Sequence, residues 1–170
     1  MRFPDFLRTA VLLFGGAATA LAVVAIAGAH ADDNITLLYI AVGWWVVAAA
    51  GGLWMGRRPE TSEGFRTLLA DARTSPTLPE QRPGVIIINR LWVLGVFTIA
   101  CGAVAFLIPQ VPAIACGFLI FIGLQWRKQS SAIEAIEGRD GVRFYVEPTS
   151  PFAPIKLVRT PGFKRAEPVG

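Results

Sequence analysis

Residues 9–29 read TAVLLFGGAATALAVVAIAGA, 21 consecutive positions without a charge. A helix rises 1.5 Å per residue, so about 20 such residues cross a bilayer's hydrocarbon core of roughly 30 Å. Three more uncharged runs follow. Ile35–Met55 (ITLLYIAVGWWVVAAAGGLWM) has 21 residues, 91–108 (LWVLGVFTIACGAVAFLI) has 18 and 111–126 (VPAIACGFLIFIGLQW) has 16. The last reaches spanning length when its helix runs past Trp126 into Arg127 and Lys128, whose aliphatic stems can snorkel to the headgroups. Lipid admits only helices or closed barrels, and no run alternates in the short strand units of a barrel. The reading is an all-α membrane protein. Its four transmembrane helices, at about 9–29, 35–55, 88–108 and 111–128, form two antiparallel hairpins. Residues 1–128 make the membrane domain and 129–170 a small cytoplasmic tail.

The composition around these runs agrees. The chain has 170 residues, about one domain's length, and is 54% hydrophobic but only 16% charged. A soluble domain carries about 25% charged residues, so an ordinary soluble enzyme is excluded. Arg2 and Arg8 precede the first run, which ends in Ala29-His30-Ala31, a layout that resembles a secretory signal with an A-x-A cleavage site. The run exceeds the usual apolar length of a signal, about 7–15 residues, so an uncleaved anchor is expected.

Basic residues set the orientation. All 16 Lys and Arg fall in three of the five segments outside the runs. Arg2 and Arg8 precede the first. Arg57, Arg58, Arg66, Arg73, Arg82 and Arg90 fill the middle loop. Arg127, Lys128, Arg139, Arg143, Lys156, Arg159, Lys164 and Arg165 lie in the tail. The first loop carries Asp32 and Asp33 instead, which gives a net +6 on one side and −2 on the other. Basic loops stay in the cytoplasm, so a multi-pass protein of a bacterial-type inner membrane with both termini cytoplasmic is expected. Trp54, Trp92 and Trp126 fall at cytoplasmic helix ends and read as membrane-interface anchors. Arg57, Arg58, Arg90, Arg127 and Lys128 read as lipid-headgroup contacts. Trp44 and Trp45 lie mid-span and read as packing bulk, with a ligand-stacking surface as the sharper alternative.

In the middle loop, Phe65, Leu68, Leu69 and Ala72 follow i, i+3, i+4, i+7 spacing, which places an amphipathic interfacial helix at about 60–73, its apolar face buried in lipid or against the bundle. Residues 74–84 are too proline-rich for regular structure. Residues 85–88 (VIII) suit a strand or an early start of the third helix, and the helix is preferred. The fourth helix is expected to continue through Ile133 and Ile136 and to stop at Gly138. Val142, Phe144 and Val146 then alternate with Arg143, Tyr145 and Glu147, a half-buried strand. Ile155 to Arg159 pairs with it as a β-hairpin. Two strands alone are marginal in water and need the bilayer, another subunit or the middle loop as a further layer.

Chemistry is sparse. None of the four runs holds Asp, Glu, Lys, Arg or His, which counts against a proton-coupled pump. Cys101 and Cys116 fall at similar depths on adjacent helices and read as small buried hydrophobes. His30, Asp32 and Asp33 are weak metal candidates, because a site usually needs three or four converging ligands. No phosphate loop, nucleophile elbow, zinc or dinucleotide pattern occurs, so no catalytic residue and no cofactor is assigned. The basic tail faces membrane lipid as its nearest polyanion, not nucleic acid. Small residues at 15–18, 48–52 and 100–103 permit close helix approach, within the protein or with a membrane-protein partner or a second copy. The match of 40–43 (IAVG) with 114–117 (IACG) is of the kind that hydropathy alone produces. The expectation is a non-enzymatic accessory or scaffold subunit that binds membrane proteins and anionic lipid. A lipid- or small-molecule-binding protein, and an enzyme at the cytoplasmic face built from Arg57, Arg58, Arg139, Asp140 or Arg143, are the alternatives.

Overall fold

The computed structural model of the chain describes residues 1–57, 63–75, 82–147 and 155–161. Arg58, residues 60–62 of the expected interfacial helix, 76–81 of the connector, the proline-rich stretch 148–154 and the tail from 162 lie outside these. Four helices are long and apolar enough to cross a membrane. They comprise α1 (Phe3–Ala31), α2 (Ile35–Met55), α4 (Pro83–Val104) and the stretch Gln110–Asp140, whose apolar part is α5 (Gln110–Trp126). The short α3 (Glu63–Ala70) and α6 (Gln129–Asp140), with strands β1 (Arg73–Thr74), β2 (Val142–Val146) and β3 (Leu157–Pro161), form a cap at one end of the bundle.

The helix ends follow from local chemistry. Proline occupies the first turn of α1 and of α4, where its missing N–H would have had no partner. Residues 85–88 are therefore helical, the early start preferred above. Asn34 caps α2, its side-chain oxygen accepting from the Leu37 N–H at 3.0 Å. Before it, Asp33 turns the chain with φ 48°, a left-handed conformation that Asp tolerates better than most residues.

Helix α5 is the hub. It packs closely on α1 and α2, while α4 rests on α1 and α5. Gly28 of α1 meets Pro109 and Gly123 meets Phe14, so α1 and α5 are antiparallel. Trp45 of α2 meets Ala113 and Gly52 meets Phe121, so α2 and α5 run parallel. The principal partner of α2 is thus α5, not α1, its neighbour in sequence.

Several boundaries differ from expectation. Helix α1 begins at Phe3 rather than near residue 9, because Phe3, Phe6, Leu7 and Ala10 form an apolar stripe buried in the protein. Helix α3 closes at Ala70 rather than 73. Arg73 and Thr74 instead pair in parallel with Val158 and Arg159, and the Ser75 N–H donates to the Arg159 carbonyl at 3.0 Å. Helix α6 passes through Gly138 and stops at Gly141, whose φ of 63° supplies the left-handed cap.

The expected β-hairpin forms, with Val142 opposite Pro161 and Val146 opposite Leu157. It is the centre of a larger sheet rather than a free pair. The strand order is β1-β3-β2, and the start of the chain extends it: Arg2 bridges Tyr145, and the Val146 N–H donates to the Met1 carbonyl at 3.0 Å. That pairing on both sides of β2 accompanies the burial of Tyr145, which strict alternation turns outward. The chain is therefore not all-α: a small sheet, built from three distant segments, joins the helices.

Candidate functional site

The cap is held by an apolar cluster and an ion pair. Phe3, Phe6, Leu7, Ile86, Ile133, Phe144, Val146 and Leu157 are buried together, and Phe65, Leu68 and Leu69 of α3 pack on them half-buried. The Glu137 side chain is only 5% exposed. Its carboxylate accepts from the Arg2 guanidinium at 2.7 Å and from the Phe144 N–H at 2.8 Å. One side chain of α6 thereby ties the chain start to β2, and its burial is tolerable because both oxygens have partners. Arg8 pairs with Glu134 one turn earlier on α6, at 2.9 Å. Burial holds the Met1 amine below its ordinary pKa, with Asp5 pulling the other way.

Trp126 joins cap to bundle. Its ring stands edge-on to Phe14 of α1 at 5.7 Å and to Phe65 of α3 at 5.6 Å, and Phe65 in turn meets Phe3 at 5.9 Å. Trp54, at the end of α2, is 76% exposed, and Trp92 is 37% exposed. Trp44 and Trp45 do more than fill space. Their indole N–H groups donate to the carbonyls of Ile114 at 3.1 Å and Ala113 at 2.8 Å, stapling α2 to α5. A buried indole needs such an acceptor, a requirement that the sequence displays but does not resolve to a partner.

Two lateral grooves flank the α1–α5 contact. The first, about 410 Å³, lies between α1, α4 and α5 and reaches α3. Phe6, Leu7, Phe14, Leu94, Phe97, Phe118, Ile122 and Trp126 form its walls with other apolar residues, and Arg90 is the one charged residue lining it among the described residues. The second, about 350 Å³, lies between α1, α2 and α5. It is lined by Val11, Gly15, Ala18, Thr19, Trp45, Cys116, Gly123 and neighbours, and among the described residues its one charged lining residue is Arg127. A third cavity of about 490 Å³, with Asn34, Trp44 and Gln110 on its walls, opens between α2 and α5 at the far end. The Thr98 hydroxyl donates to its own helix at the Leu94 carbonyl, 2.7 Å away.

The remaining candidates do not converge. His30, Asp32 and Asp33 are exposed at the end opposite the cap. Among the described residues no group of three His, Cys, Asp or Glu could hold a metal ion. Cys101 and Cys116 are free thiols buried in one apolar cluster with Ala18, Leu21 and Leu119. Arg139 pairs with its neighbour Asp140 at 2.8 Å, Arg57 and Arg143 are exposed, and Arg58 lies outside the described residues. No family model, curated protein or solved structure matches this chain.

Proposed function

We propose that this is a multi-pass protein of a bacterial-type inner membrane. Its chain start, middle loop and tail are cytoplasmic, and it serves as a non-enzymatic accessory or scaffold unit for other membrane proteins. The observation that carries this is the cap. The three segments rich in Lys and Arg meet in one sheet and one apolar cluster at one end of the bundle. An assembly of this kind requires the three segments to share a side of the membrane, and their basic charge selects the cytoplasm. Arg57, Arg58, Arg90, Arg127 and Lys128 then face anionic headgroups, each basic group contributing about 1 kcal/mol near such a surface. Trp54 and Trp92 sit in the headgroup layer. Isolation in native lipid particles, followed by mass analysis of all retained proteins and lipids, tests the role. A stoichiometric membrane protein and enrichment in anionic lipid are expected. A lone monodisperse chain without a partner would overturn the scaffold role.

A second reading, a lipid- or small-molecule-binding membrane protein, is favoured by the lateral grooves. A dry, closely packed bundle would have offered no such space.

A further inference from the structure

We propose that the cavity between the far ends of α2 and α5 binds the head of a lipid-soluble quinone, a flat uncharged ring whose tail lies in the bilayer. This rests on the lipid- or small-molecule-binding reading above and names its site and ligand class. Two tryptophans mark where the space begins. At Gly52, towards the cap, α2 comes so close to α5 that a Cβ would meet the Phe121 backbone. Further from the cap, the indoles of Trp44 and Trp45 reach from α2 to carbonyls of α5. Beyond them the cavity of about 490 Å³ opens. Small-molecule sites occupy roughly 300–1,000 Å³. Gly117 admits Trp44, since a Cβ there would overlap the indole, and Phe118 stands edge-on to the same ring at 5.5 Å. The indole is thus fixed before a ligand arrives, and a flat ring laid against it has little left to order.

The lining is graded as such a lipid is. Asn34, Thr36 and Gln110 lie at the helix starts, and Ile40, Trp44 and Ile114 lie deeper. Trp44 is ten residues from Asn34, about 15 Å along α2. Ile40 and Ile114 are 65% and 52% exposed, so the apolar part opens sideways and a tail can leave into the bilayer. The Asn34 Oδ1 already accepts from the Leu37 N–H, so its amide offers the cavity N–H donors. Thr36 and Gln110 can each donate or accept. Amides and a hydroxyl suit the carbonyls of a quinone and equally the hydroxyls of a quinol. A phosphate suits this end less, because the adjoining Asp32 and Asp33 are exposed and make it acidic.

The test is native mass spectrometry of the full chain in a neutral detergent, titrated with a decyl-tailed benzoquinone, phosphatidylglycerol or phosphatidylethanolamine. Wild type is expected to retain one quinone, about tenfold better than either phospholipid, the effect of one or two hydrogen bonds. Asn34→Asp keeps the cap of α2 and removes the amide donors, and Gln110→Leu removes the second amide. Each should weaken quinone retention about fivefold. Ile40→Trp fills the cavity from an exposed position and should abolish retention. Val47→Trp, at a similarly exposed position of α2 outside the cavity, should keep it. Equal retention in Ile40→Trp and Val47→Trp would overturn the site while leaving lipid binding to the other grooves. A phospholipid retained in place of the quinone, and lost in Ile40→Trp, would overturn the ligand class. A wild type that retains none of the three would overturn both the site and the reading beneath it.

Discussion

Gly52 and Gly43 lie on the same helix and face opposite situations. A Cβ at Gly52 would stand 2.7 Å from the Phe121 carbonyl oxygen and 3.1 Å from the Phe121 Cα, whereas at Gly43 nothing lies within 4 Å. Backbone atoms of α5 cannot step aside as a side-chain tip can. Gly52→Ala should therefore destabilise the bundle by about 1–3 kcal/mol, the usual cost of overpacking. Gly43→Ala should be neutral or stabilising by up to about 1 kcal/mol. Thermal unfolding of both variants in one detergent checks the contrast. In the cap, Glu137→Gln keeps an acceptor for the Phe144 N–H and removes the ion pair with Arg2, for a loss of ~1 kcal/mol. Glu137→Leu removes both and should cost about 2–4 kcal/mol. Equal effects of the two substitutions would mean that the amide contact contributes nothing. At this scale the sequence was only half legible. Small residues mark close approach, but nothing in Gly52 or Gly43 alone says which one meets a backbone. The carboxylate of Glu137 likewise finds its partners 135 positions away at Arg2 and seven away at Phe144.

Elements were read best where a long uncharged run leaves one solution. The four helices appear within a few residues of the runs, except where a second force acts at their ends. The start of α1 is the clearest case. Arg2 and Arg8 marked it as a charged tail, yet Phe3, Phe6 and Leu7 carry helical spacing that only a cap could bury. Strand β1 had no local signal at all, since two residues pair only because β3 lies beside them. For α3 the stripe of Phe65, Leu68 and Leu69 was legible, with lipid or the bundle as its two possible covers. The protein's own cluster, with Phe3 and Trp126, takes that place for part of the stripe. Phe65→Ala removes a ring that touches both, and should loosen α3 without unfolding the bundle. Limited proteolysis should then cut the middle loop at least several-fold faster, while the helical signal stays within a few per cent of wild type. A cut rate unchanged from wild type would place α3's stability elsewhere.

At the scale of the molecule, segments separated by whole spans close on one another. The chain start, the middle loop and the tail are connected only through hydrophobic helices, yet they share a sheet whose order is β1-β3-β2 with Met1–Arg2 at its edge. The charge partition anticipated that they lie together, because basic segments are retained on one side. It could not anticipate that they fold together, because long-range strand pairing leaves no periodic trace in sequence. The same arrangement leaves the opposite end acidic, with Asp32 and Asp33 exposed beside His30. Single cysteines read this sidedness directly. In a variant lacking Cys101 and Cys116, cysteine is placed at Asn34, Ser75 or Lys156 and probed in intact spheroplasts with a membrane-impermeant maleimide. Cysteine at Asn34 should label in intact cells, and cysteines at Ser75 and Lys156 only after lysis. Labelling of Ser75 and Lys156 from opposite sides of the membrane would contradict the cap, and labelling of both from outside would invert the orientation.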